Sequence, residues 1–126
     1  MVEIAAQVFA VMTCIVVLFQ LALTAGAPWG HLAMGGRYPG KFPAPMRIAA
    51  LVQGCVLAAL GWVVLVRGQV IDSNLYDLSS IGIWVVVALM GVSVVMHLFT
   101  PSRWERIVWL PVVAVLFICS LTVALS

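Results

Sequence analysis

The sequence predicts an all-α fold, a polytopic membrane four-helix bundle made of two tandem transmembrane hairpins, and three observations lead there. Its charged residues, 6 basic and 4 acidic, leave charge-free runs at 4–36, 48–66, 78–102 and 107–126. Each run approaches or exceeds the ~20 apolar residues that a helix needs to cross a bilayer core of ~30 Å. Hydrophobic residues supply 65% of the chain and charged residues 8%, against about a quarter charged in a soluble domain, which excludes a water-soluble fold. Backbone groups in hydrocarbon must bond internally, so the choice lies between helices and a closed barrel. The stretch 81–90 is apolar throughout rather than alternating, which selects helices.

The first helix is expected over about 3–24, ended by Gly26 and Pro28. Ala25-Gly26-Ala27 has the small-x-small form of a signal cleavage site. Glu3 nevertheless replaces a basic n-region, the apolar stretch exceeds roughly 7–15 residues, and Pro28 follows the would-be cut, so this helix is expected to be retained. The second helix is expected over about 46–67, after Pro43 and Pro45, and the third over about 79–99, closed by Pro101. The fourth is expected over about 103–125, with Ser102 as N-cap and Glu105 completing a capping box. Pro111 should kink this helix rather than break it, because neighbours in a bundle satisfy the freed carbonyl. The spans consume nearly all of residues 1–126, leaving one transmembrane domain.

Four crossings put the loop after helix 1 and the loop after helix 3 on the same side. They carry Arg37, Lys41, Arg47, Arg103 and Arg106 against Glu105, whereas the opposite side carries Glu3, Asp72 and Asp77 against Arg67. The positive-inside rule then places these two loops in the cytoplasm and both termini outside. Trp62 and Trp84 fall near the outer helix ends and Trp29, Trp104 and Trp109 near the inner boundary, as in aromatic belts. Trp109 lies deeper than the rest and is also a candidate pocket residue.

Polar residues inside spans are costly and usually face the bundle interior. With ~1.5 Å of rise per residue, Gln20, Gln53, Ser93, His97, Glu105 and Arg106 all map to the cytoplasmic third, with Gln7 apart from them. Ser93 and His97 share a face through their i, i+4 spacing. Together with Trp109 these residues form a candidate ligand pocket, and the glycine- and proline-rich first loop, with Trp29, His31, Arg37 and Arg47, would lie over it. Interhelical hydrogen bonding, at about 0.6 kcal/mol per pair, is the competing account of the same residues. A haem held through His97 or His31 requires two imidazoles aimed at one iron, and His31 sits in a loop. No cofactor is therefore expected, and two histidines without a nearby cysteine make a poor metal site.

Cys14, Cys55 and Cys119 all lie in spans without CxxC spacing and read as small apolar packing. Gly54, Ala58 and Gly61 in helix 2, and Ala88 and Gly91 in helix 3, offer surfaces for close helix approach, within this chain or against another. No arginine row, intramembrane acid or filter sequence points to a channel or proton-coupled pump.

Gly26-Ala27-Pro28-Trp29-Gly30, Gly35-Gly36, Gly40-Lys41-Phe42-Pro43 and Arg47-Ile48-Ala49, with the later Pro101-Ser102-Arg103-Trp104-Glu105-Arg106 and Trp109-Leu110-Pro111-Val112, resemble segments of a group of small uncharacterised bacterial four-helix membrane proteins. The resemblance covers most of the chain and implies a multi-pass protein of the bacterial inner membrane, with both segments on the cytoplasmic side. It carries no activity. The leading expectation is a non-enzymatic accessory or assembly subunit, associated with lipids and with other membrane subunits or copies of itself, and not with nucleic acid. The alternatives are a binding protein or transporter for a small amphiphile through the polar pocket, and an enzyme acting on lipid or quinone.

Overall fold

The computed structural model describes residues 1–71 and 74–126, apart from the side chain of Met34. Asp72, one of the acids expected opposite the basic loops, lies outside the described residues. Four helices run α1 Val2–Ala25, α2 Ala44–Arg67, α3 Tyr76–Leu98 and α4 Arg103–Ala124, with 3-10 turns at Gly30–Leu32 and Met34–Gly36. No strand occurs among the described residues. All four helices are long and apolar enough to cross a membrane, and their outward faces are apolar, as a lipid solvent requires. The fold is thus the all-helical bundle that the charge-free runs predict.

α1 pairs with α2 and α3 with α4, giving the two hairpins, while α1 against α4 joins them. Glycines set these approaches. A Cβ at Gly54 would stand 3.3 Å from the Gln20 Cβ, one at Gly61 3.4 Å from Thr13, and one at Gly91 3.3 Å from the Phe117 ring. Their neighbours are therefore helices of the same chain, in the manner of small-residue packing in membranes. Ala58 and Ala88 instead face outward.

The main core comprises Ala6 and Phe9, Val64, Ile83, Val86 and Met90, and Leu116 and Val123. It occupies mostly the end of the bundle away from the long loop, where α2 and α3 also meet through Val63 and Gly82. At the loop end the second buried cluster is Leu23, Phe42 and Ala50, with Phe19, Ala33, Tyr38 and Met46 around it. It joins α1, α2 and the loop, without α3. The helix pair α2 and α3 is therefore sealed at one end only.

Two helix starts differ from the sequence expectation. α2 begins at Ala44, so Pro45 lies inside the first turn, where its missing N–H is no loss, and Pro43 O accepts from the Met46 and Arg47 amides. α3 begins at Tyr76, a turn before Ser79. Ser79 and Ser80 donate their hydroxyls back to Tyr76 O, a bond that serines make within a helix. Pro111 sits inside α4, which continues past it to Ala124.

The long first loop is a folded element. Gly26 ends α1 in the left-handed region at φ 103°, with Gly26 and Ala27 amides returning to Leu23 O and Ala22 O. The Gly30 amide then donates to Gly40 O at 2.8 Å and pinches the loop shut. At Gly30 a Cβ would collide with the Tyr38 carbonyl oxygen. Phe42 closes the loop against the bundle, 2% exposed.

Alanine substitutions at two loop glycines should separate space from backbone strain. Gly40 has φ +79° but nothing within 4 Å of its Cβ position, so Gly40→Ala should cost only the left-handed penalty of ~1–2 kcal/mol. Gly30→Ala should cost more, because backbone must move. Thermal unfolding followed by circular dichroism in detergent should rank the midpoints wild type, Gly40→Ala, Gly30→Ala in descending order.

Candidate functional site

Because α2 and α3 are packed together at one end only, a crevice of about 660 Å³ opens between them at the loop end. α1 and α4 form its floor through Val16, Phe19, Gln20, Trp109, Val113 and Leu116, and α2 supplies Gln53 and Leu57. α3 supplies Leu89, Met90, Val92, Ser93, Met96 and His97. Leu89, Val92 and Met96 are half or more exposed or nearly so, which puts the mouth on the side of the bundle. Ala33, Gly35 and Phe42 of the first loop, with Thr100 and Pro101 of the α3–α4 turn, cover the end.

The polar end is built around Glu105, 8% exposed. Its Oε2 accepts the Gly35 amide at 2.7 Å, and its Oε1 lies 3.8 Å from His97 Nε2. His97 Nδ1 donates to Ser93 O at 2.7 Å; a carbonyl can only accept, so this bond sets the ring's orientation and turns Nε2 toward the carboxylate. The Ser93 hydroxyl lies 3.4 Å from the same Nδ1. Ser102 caps α4 as expected, accepting the Glu105 amide at 3.2 Å, and its hydroxyl donates to His31 O at 2.8 Å.

The expected capping box is only half made. Its reciprocal bond, from the Ser102 amide to the Glu105 side chain, is replaced: that amide points to Thr100 Oγ1 at 3.4 Å, and the carboxylate is engaged by the loop. The carboxylate goes instead to the first-loop amide at Gly35, held at φ +66°, which would otherwise be short of an acceptor.

Six of the sequence-selected residues, Gln20, Gln53, Ser93, His97, Glu105 and Trp109, line the crevice together. Arg106 does not; it donates to Thr100 O at 3.1 Å and ties the end of α3 to α4. Arg47 donates to Thr24 O at 2.8 Å, tying α2 to the end of α1. Trp29 stacks parallel to Phe19 at 6.4 Å, His31 is exposed and contributes its carbonyl oxygen, and Arg37 is exposed. The roof is thus made by other residues of the same loop. Sequence reasoning missed Gly35 and Phe42; a large apolar side chain directly before Pro43, at the return into α2, was the available signal for Phe42.

Several lining groups have no hydrogen-bond partner among the described residues. The Gln20 side chain is 7% exposed, and no bond engages its amide or that of Gln53. Trp109 Nε1 is buried without an acceptor, with its indole against Phe19 at 4.7 Å. No group of three or more His, Cys, Asp or Glu residues suited to a metal ion occurs among the described residues. The cysteines are all free.

Glu105→Ala should leave the Gly35 amide without its acceptor and cost about 1–3 kcal/mol, loosening the loop. Trypsin should then cut faster at Arg37 and Lys41. Glu105→Gln keeps an acceptor oxygen and should be cut at an intermediate rate.

No family model, curated protein or solved structure matches this chain, and the chemistry of the crevice rests on its own residues.

Proposed function

We propose that this chain is a small multi-pass membrane protein that binds a small amphiphile in its lateral crevice, entered from the lipid between α2 and α3. One observation carries the reading: an apolar passage walled by Leu57, Leu89, Val113 and Leu116 leads to a polar end where the Trp109 indole N–H is buried without an acceptor, beside the buried Gln20 and the exposed Gln53. In lipid, an apolar tail gains little by moving from acyl chains to leucine side chains. The tail therefore contributes fit, and recognition falls to the head, at about 0.6–2 kcal/mol per hydrogen bond. A volume of about 660 Å³ lies in the ~300–1,000 Å³ range of pockets for small molecules.

The basic residues around the roofed end, Arg37, Lys41, Arg47, Arg103 and Arg106, support a cytoplasmic placement of that end in a bacterial inner membrane. The head would then be held near the cytoplasmic boundary. An accessory-subunit role has less support, because Gly54, Gly61 and Gly91 are used inside the bundle and the remaining exposed apolar faces suit lipid equally well.

Protein purified in nanodiscs and analysed by native mass spectrometry should retain one small amphiphile per chain. Leu89→Trp, which fills the mouth from a residue 44% exposed, should reduce retention to background with little change in unfolding temperature. Equal retention in this variant, or no retained molecule in the wild type even after supply of lipid extract, would contradict the reading.

A further inference from the structure

We infer that the crevice, taken as the amphiphile site proposed above, selects an uncharged head that presents carbonyl oxygens. The unengaged groups at its polar end include a donor that can do nothing else: the Trp109 indole N–H, buried without an acceptor among the described residues. The Gln20 amide, nine-tenths buried and lining the same space, adds an N–H donor and has no partner among the described residues. Buried polar groups left in this state mark a missing partner, and for an indole N–H that partner must be an acceptor.

Charge narrows the class. The lining contains no lysine or arginine: Arg47 is spent on Thr24 O and Arg106 on Thr100 O. A phosphate or sulfate head would be desolvated beside Glu105 with His97, already turned toward that carboxylate, as the nearest basic group. A cationic head fares no better, because it brings no acceptor to the Trp109 indole N–H. A neutral carbonyl loses little solvation and meets the N–H groups of Trp109 and Gln20. Phe19 and Trp109, in ring contact at 4.7 Å, add an aromatic wall against which a planar head can lie.

Two kinds of molecule carry this head, a quinone and an acylglycerol, and tail-matched probes separate them from charged ones. Full-length protein in nanodiscs would be titrated with decyl-benzoquinone, monodecanoylglycerol, decyl phosphate and decyltrimethylammonium, with Kd read by microscale calorimetry. Quenching of Trp109, taken as wild type minus Trp109→Phe, would serve for the quinone. At least one neutral probe should bind about tenfold or more tighter than either charged one, and the tighter neutral probe identifies the source. Trp109→Phe and Gln20→Leu should each weaken that probe by about three- to tenfold, one hydrogen bond's worth, while Leu18→Ala, facing outward, should not. Charged probes binding as tightly as neutral ones would overturn the selectivity and leave the amphiphile site standing. Binding of none of the four would remove the site itself.

Discussion

A carboxylate buried at the first turn of a helix in an apolar chain is costly unless each oxygen has a partner. Glu105 Oε2 meets that demand with the Gly35 amide of the first loop, helped by the positive end of its own helix, while Oε1 stands 3.8 Å from His97 Nε2 at the end of α3. Ser102 adds a second link by capping α4 and donating to His31 O. Loop, α3 and α4 are thereby joined at one point. Arg106 on Thr100 O and Arg47 on Thr24 O close the adjacent helix ends in the same way. The roof of the crevice depends on this set of polar struts, since the buried apolar cluster at that end lacks α3.

The crevice follows from where the bundle spends its packing. Small residues bring α1 onto α2 and α3 onto α4, and the larger core fills the opposite end. α2 and α3 meet there and separate toward the loops. In water such a gap would collapse or fill; in lipid the apolar walls cost little to leave open, because acyl chains solvate them as well as side chains do. Its polar end is different, since unsatisfied donors are expensive in hydrocarbon. The tension between cheap apolar walls and expensive bare donors is the physical basis of the proposal that the crevice takes a molecule with one polar head.

Much of the architecture was legible in the chain. Charge-free runs fixed the number of helices, Pro43 and Pro101 marked two of their boundaries, and Ser102 announced the start of α4. Mapping by helical rise gathered Gln20, Gln53, Ser93, His97, Glu105 and Trp109 at one end, and these do share the crevice. What periodicity could not show was the partner of Glu105. A capping-box pattern describes a local bond, whereas the structure assigns that carboxylate to a residue 70 positions away, reached only once the loop has folded. Arg106, adjacent in sequence to a pocket residue, points elsewhere because helical neighbours diverge by about 100°. The helix neighbours of Gly54 and Gly91 were equally invisible, because a small residue records a close approach without naming what approaches.

The most direct test of the Glu105 joint is nuclear magnetic resonance of isotopically labelled protein in nanodiscs, observing the Gly35 amide. A hydrogen bond of 2.7 Å to the carboxylate predicts a dispersed, downfield amide resonance with nuclear Overhauser contacts to the Glu105 side chain, both lost in Glu105→Ala. A Gly35 amide at the random-coil position, without contacts to Glu105 and unchanged by that substitution, would contradict the account.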